Sequence, residues 1–335
     1  MKRIASFFLA LALAFSLTAC TVPVEKADDG KIQIVATLFP YYDFARAIVG
    51  DRADVTLLLS PGREAHSFEP TPLDAVTISE SDVFLYNGGE GEYWVDSMLG
   101  AAGENIAVIA RMMDYVDALD EEYVEGMQGA DGHDHDHEHG SHDDHDHDHE
   151  EDEHDSDEIE YDEHIWTSPK NAVVLCRAVC DAICRADAEN AAFYRANCDG
   201  YCAQIEALDA RFADLCESAP HKLLVFADRF PMLYFCREFG LDYRAAFHGC
   251  SGDTEPSLAT IKYLIDKVED ENIPVVYTID FGTKKVAAVV SECTGAAVDT
   301  LYSMQTVSRA DFDAGETYLT LMERNYEALR KGLNE

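Results

Sequence analysis

Residues 32–59 read IQIVATLFPYYDFARAIVGDRADVTLLL, and the fold class follows from their pattern. Residues 32–36 form a short apolar run that predicts a strand. Residues 41–49 carry apolar side chains at helical spacing and stop at Gly50, a residue suited to ending helices. Residues 55–59 form a second apolar run, followed by a loop with Pro61 and Gly62. Further along, 73–79 reads as helix and 83–86 and 106–109 as strands. This α/β alternation implies a mostly parallel sheet with helices on both faces.

The pattern stops, then restarts. Residues 114–163 are acidic and read as an insertion. Order returns at His164-Ile165-Trp166, and Ser168-Pro169 opens a helix over 171–185. A second helical pattern over 188–217 has few breakers beyond Gly200. At 1.5 Å per residue it spans about 45 Å, more than one lobe needs, which makes it the natural connector between two halves. Strands are then expected at 223–226, 243–247, 275–279 and 297–301, with helices at 232–239, 258–269, 284–293 and 318–333. The reading is therefore two similar α/β lobes: 32–187, including the insertion, and 218–335, joined by the helix 188–217.

Within the insertion, His133 to His154 reads HDHDHEHGSHDDHDHDHEEDEH. Nine histidines (His133, His135, His137, His139, His142, His145, His147, His149 and His154) alternate with carboxylates. With no apolar side chain the run has nothing to bury, so disorder is expected. Neutral imidazole is a common ligand for borderline metals, so the run is expected to bind zinc-like ions weakly at overlapping positions. An inert acidic linker is the alternative. A purification tag is a poor fit, because the run is internal and mixed with Asp and Glu.

Residues 1–20, MKRIASFFLALALAFSLTAC, have a basic start, an apolar stretch too short for a comfortable membrane span, and a Leu-Thr-Ala-Cys exit. That box resembles the bacterial lipoprotein cleavage site, which implies cleavage before Cys20, a lipid on its sulfur, and anchoring outside the cytoplasmic membrane. Residues 21–31 then read as a tether; an ordinary secretory peptide is the alternative. Net charge is −40 over 335 residues, which disfavours nucleic acid and anionic lipid and favours cations. Ten cysteines include Cys176, Cys180 and Cys184, and Cys198 and Cys202, at helical i,i+4 spacing. No CxxC pair occurs. They read as small core residues, implying an anoxic habitat or disulfides whose pairing the sequence does not give.

Four histidines lie outside the run: His66, His164, His221 and His248. His66 follows a strand in SPGREAHSFEPTP, and ligands bind beyond the carboxyl ends of strands in open α/β sheets. His164 stands where the insertion re-enters the fold. His221 precedes a strand, on the wrong side, and reads as a surface residue.

These segments resemble the binding proteins of zinc and manganese uptake ABC transporters. The match is carried by IVATLFPYYDFARAIVGDRADVTLLLSPGREAHSFEPTP, by the acidic His-rich stretch before DEHIW, by the long helix, and by FADRFPMLYFCREFGLDYRAAF. The resemblance implies two lobes of the periplasmic-binding-protein-like, cluster A-I type, with an ion between them, a permease with its cytoplasmic ATPase as partner, and no catalysis. It carries ligand roles to His66 and His164. Two further family ligand positions hold Ala227 and Tyr302 here, so the site must differ. Asp228 after its strand, His248 and, less favoured, Asp280 and Glu255 are the candidate replacements. Zn²⁺ is the expected cargo, because the imidazole-rich run suits it; Mn²⁺ or Fe²⁺ is the alternative. A monomer is expected that collects zinc on the loop and passes it to the cleft, weakening as pH falls through about 6.5. A surface buffer or cell-adhesion role is a competing reading. A zinc hydrolase is disfavoured, since there is no HExxH motif, nucleophile elbow or phosphate loop.

Overall fold

The computed structural model describes residues 30–63, 68–102, 105–128, 160–251 and 255–334. The first sheet is built from β1 (Gln33–Ala36), β2 (Asp54–Leu57), β3 (Val83–Tyr86) and β4 (Val108–Arg111), all parallel, in the order β2-β1-β3-β4. Between these strands run α1 (Phe39–Val49), α2 (Pro72–Ser79) and α3 (Trp94–Ala102). Thr71 closes a capping box with Asp74 at the start of α2, satisfying amides that the helix leaves open.

The second sheet repeats the plan. β5 (Leu223–Phe230), β6 (Asp242–His248), β7 (Val275–Ile279) and β8 (Ala297–Leu301) are parallel in the order β6-β5-β7-β8. Two long helices precede it, α4 (Pro169–Ala186) and α5 (Ala191–Ser218). Four helices complete the lobe: α6 (Leu233–Phe239), α7 (Leu258–Asp270), α8 (Lys285–Thr294) and α9 (Arg309–Ala314). The closing helix is α10 (Tyr318–Asn334). In each lobe the strand order reverses direction beside the first strand, and the crevice at that point is where α/β sheets take ligands.

One core cluster runs through both lobes. Asp43 of α1, 1% exposed, accepts from Tyr201 Oη of α5 at 2.6 Å and from the Tyr318 amide at the start of α10 at 2.9 Å. A carboxylate at a helix N-terminus is the favourable sign of charge. Trp166 Nε1 donates to the Ser303 carbonyl at 2.7 Å, and Tyr318 Oη donates to the Trp166 carbonyl at 2.9 Å. These buried bonds join segments more than 130 positions apart.

The insertion is shorter than its composition indicates. Residues 114–128 and 160–163, read above as part of the acidic insertion, are folded into the protein. The Glu121 amide donates to the Glu160 carbonyl at 2.8 Å, the Asp162 amide to the Leu119 carbonyl at 2.9 Å, and the Gln128 amide to the Ala246 carbonyl of β6 at 3.0 Å. The cause is a set of apolar side chains among the acids, in which Val116, Leu119 and Val124 pack on the main core and Met127 is buried in it. The His133–His154 run and Cys20 lie outside the described residues. No described helix is long and apolar enough to cross a membrane.

Candidate metal centre between the lobes

His164 is 1% exposed and is the best-defined member of the centre. Its amide donates to Asp162 Oδ1 at 2.7 Å, and its Nδ1 lies 3.1 Å from the same oxygen. A carboxylate on Nδ1 fixes the tautomer and leaves Nε2 as the ligating nitrogen, the usual second-shell arrangement at metal-binding histidines. Burial works against a charged imidazole here, but Asp162, Glu121 and Glu163 outweigh it and hold the group above its ordinary pKa. The ring stands edge-on to Trp166 at 5.7 Å.

The ring projects into a narrow recess at the strand ends of the second lobe, lined by Arg229, Gly249, Phe281, Ser303 and Gln305. Gly249 is required there: a Cβ would come within 3.1 Å of the His164 ring and 2.9 Å of the Phe230 carbonyl. The neighbouring His248 Nδ1 lies 3.0 Å from Glu121 Oε1, which also accepts from the Gly249 amide at 2.7 Å. Glu121 is only 5% exposed in its side chain, and its Oε2 is buried without a hydrogen-bond partner. Burial would raise the Glu121 pKa, but the His248 bond and the nearby His164 outweigh it and hold the carboxyl below its ordinary value. An ionised, under-satisfied carboxylate thus faces two imidazoles. Such a group is costly to bury unless a cation completes it.

Glu163 occupies a different cradle. Its Oε1 accepts from the Gly91 amide at 2.8 Å, and a Cβ on Gly89 would fall 2.4 Å from that oxygen. Burial raises its pKa. Cys250 is also close: burial, with Glu121, Asp162 and Glu163 adding to it, keeps its thiol neutral.

The other expected ligands fall as follows. His66 lies outside the described residues. Its flanks are held together, with the Arg63 guanidinium 5.5 Å over the Phe68 ring, and Gly62 donates to the Val307 carbonyl of the second lobe at 2.8 Å. Asp228 sits where the β5–β6 register shifts, between Phe226 and Arg229. Its Oδ2 lies against Gly282, where a Cβ would come within 1.7 Å, and it does not line the His164 recess. Asp280 Oδ1 accepts from the Ser303 amide at 3.2 Å and lines a separate recess with Lys284. Glu255 is 84% exposed in its side chain and pairs with Lys285 at 3.8 Å, away from the recess. His248 reaches the centre through Glu121. Ala227 is buried in the second lobe's own apolar cluster, and Tyr302 packs under Arg324, 5.4 Å from its guanidinium. Gln305, not anticipated from the sequence, is the residue of the β8–α9 segment that lines both the His164 recess and the adjoining one beside Glu92 and Phe68.

Comparison with known proteins agrees with this architecture. Residues 34–332 match the family model described as ZnuA, zinc-uptake complex component A periplasmic. The chain belongs to the ZnuA family. The zinc-binding lipoprotein AdcA of Streptococcus pneumoniae is 30% identical over 340 residues, covering 99% of this chain and 61% of AdcA. The chain therefore spans about three fifths of that relative's length. The high-affinity zinc uptake system protein ZnuA of Bacillus subtilis is 29% identical, covering 99% of this chain and 98% of that protein. Among solved structures, the Zn(II)-bound ZnuA-like domain of S. pneumoniae AdcA superposes with a TM-score of 0.71 at 25% identity, covering 91% of this chain and all of that domain. A laminin-binding protein of Streptococcus pyogenes shares the fold at 20% identity and a TM-score of 0.67. These likenesses agree with the expected two-lobe fold.

Proposed function

We propose that this protein captures Zn²⁺ outside the cytoplasmic membrane and delivers it to an ABC-transporter permease driven by its ATPase. The observation that carries this reading is His164, a buried imidazole anchored by Asp162 and opening toward the second lobe. His66 and His164 supply the nitrogens. Glu121, with His248 behind it, supplies the carboxylate that compensates for Ala227 and Tyr302 at positions where the family carries ligands. Two imidazoles and a carboxylate form an ordinary zinc donor set. An ionised Glu121 beside the imidazoles favours entry of a cation, and protons on His164 compete with it.

The His133–His154 run acts as a weak, multivalent collector tethered next to the cleft. Lipid on Cys20 keeps the protein at the membrane as a monomer within reach of the permease. Binding and release, without bond-making chemistry, complete the task. The relatives named above as zinc-binding and zinc-uptake proteins favour Zn²⁺ over Mn²⁺. Competition calorimetry on the full chain tests the assignment. One tight zinc site is expected, weakened by orders of magnitude in His164→Ala and in His66→Ala. A tight site unchanged in both variants overturns it.

A further inference from the structure

Away from the cleft, five cysteines converge between α4 and α5. The i,i+4 spacing puts Cys176, Cys180 and Cys184 on one face of α4, and Cys198 and Cys202 on one face of α5. All five are buried, with Cys176 at 0%, Cys198 at 3% and Cys202 at 1% exposure. The Cys176 and Cys198 Sγ atoms are 4.0 Å apart, and those of Cys198 and Cys202 3.9 Å apart. The ligand atoms of these three residues all lie within 4.8 Å of one another.

We propose that Cys176, Cys198 and Cys202 form a second metal site, a thiolate site for a d¹⁰ cation such as Zn²⁺, that ties α4 to the long interlobe helix α5. In a tetrahedral shell with Zn–S near 2.3 Å, neighbouring sulfurs stand about 3.8 Å apart, which the Cys176–Cys198 and Cys198–Cys202 separations already match closely. A disulfide would require closing to about 2.05 Å. Binding releases the three thiol protons to solvent and leaves a site of net charge −1. Arg177 lies beside it and favours the anionic sulfurs of Cys198 and Cys202. Cys180 and Cys198 also line a surface recess with Arg177, Asp181, Arg195 and Asp199, which gives an ion a way in. Soft thiolates suit Zn²⁺ and Cu⁺ and are poor partners for Mn²⁺, so this site differs in kind from the mixed nitrogen–oxygen centre in the cleft.

The test is Co²⁺ titration of the full, reduced chain under anaerobic conditions, read by sulfur-to-cobalt charge-transfer absorption. The expected result is one equivalent of thiolate-bound Co²⁺, displaced by Zn²⁺, lost or weakened at least tenfold in Cys198→Ser and retained in Cys293→Ser, a change at an exposed cysteine of α8. Absence of the band in the reduced wild-type protein overturns the proposal, as does a band that persists in Cys198→Ser. A Cys176–Cys198 disulfide in protein isolated with its thiols blocked also overturns it. The wild-type spectrum needs no substitution, so misfolding of a variant does not rescue the idea.

Discussion

Glu121 turns two oxygens to different uses. Oε1 is committed to His248 and the Gly249 amide, while Oε2 is buried and bare. If Oε2 awaits the cation, Glu121→Gln keeps the shape and removes the charge. A loss of about ten- to a hundredfold in zinc affinity is expected, equivalent to roughly 1.4–2.7 kcal/mol. An unchanged affinity by calorimetry would reduce Glu121 to a scaffold for His248. Asp162→Asn tests the other half of the centre. The amide loses the charge that orients His164 Nδ1, and a loss of similar size, about ten- to a hundredfold, is expected. His164 was legible in the sequence because it stands at the edge between a polar insertion and an apolar helix. Glu121 was not, because it sits among so many acids that its stretch reads as one solvated run. The signal that separates it is Leu119, Val124 and Met127, spaced through residues 119–127 and packed on or in the core. The sequence pattern sets Asp228 after a strand; in the fold it lies within β5, at the register shift, with its carboxylate against Gly282.

Elements were easier to read than side chains. Strands 83–86, 275–279 and 297–301 appear with the bounds their apolar runs predict. Helix α3 was missed because Trp94–Ala102 contains Gly100 and few polar residues to mark a face. One inter-element contact has a pH signature. Glu238 of α6 is buried beside Asp209 of α5, and its Oε2 accepts from the Ser168 hydroxyl at the start of α4. Burial, with Asp209 adding to it, pushes the Glu238 pKa from 4.5 up to about 7. Its folded form therefore binds a proton more tightly than its unfolded form. Stability attributable to this group is full below about pH 4.5, falls as pH rises, and is lost above about 7. Glu238→Gln retains an acceptor for Ser168 and gains a donor for Asp209. Thermal melts should show the variant level with the parent at pH 5 and more stable at pH 8. Some pH dependence will persist, because burial also raises Glu92 to about 7. Equal pH slopes in parent and variant would dismiss the pairing.

Across the whole molecule, the two sheets are bound into one core by α5, α10 and the buried bonds of Asp43 and Trp166. A 28-residue helix spans about 42 Å, and bending it costs more than swinging two loops. Wide swinging of the lobes is therefore disfavoured, and capture turns on how ions reach the cleft. Here the His-rich run enters as a separable part. Both of its bases are fixed independently: Gln128 is bonded to Ala246 and Ser257, and Glu160 to Glu121. Deleting residues 132–155 removes twelve carboxylates and no Lys or Arg, taking the formal net charge from −40 to −28. The centre at His164 keeps all its described neighbours, so the tight zinc site should keep its affinity within about threefold while the weak sites disappear from the isotherm. Kinetics should respond differently. A less negative surface attracts Zn²⁺ less strongly, so stopped-flow capture at low salt should slow in the deletion, and the difference should shrink as salt screens it. Loss of the tight site along with the run would mean that the run supplies cleft ligands and is no mere collector. An unchanged capture rate at low salt would mean that it collects nothing the cleft does not already find by itself.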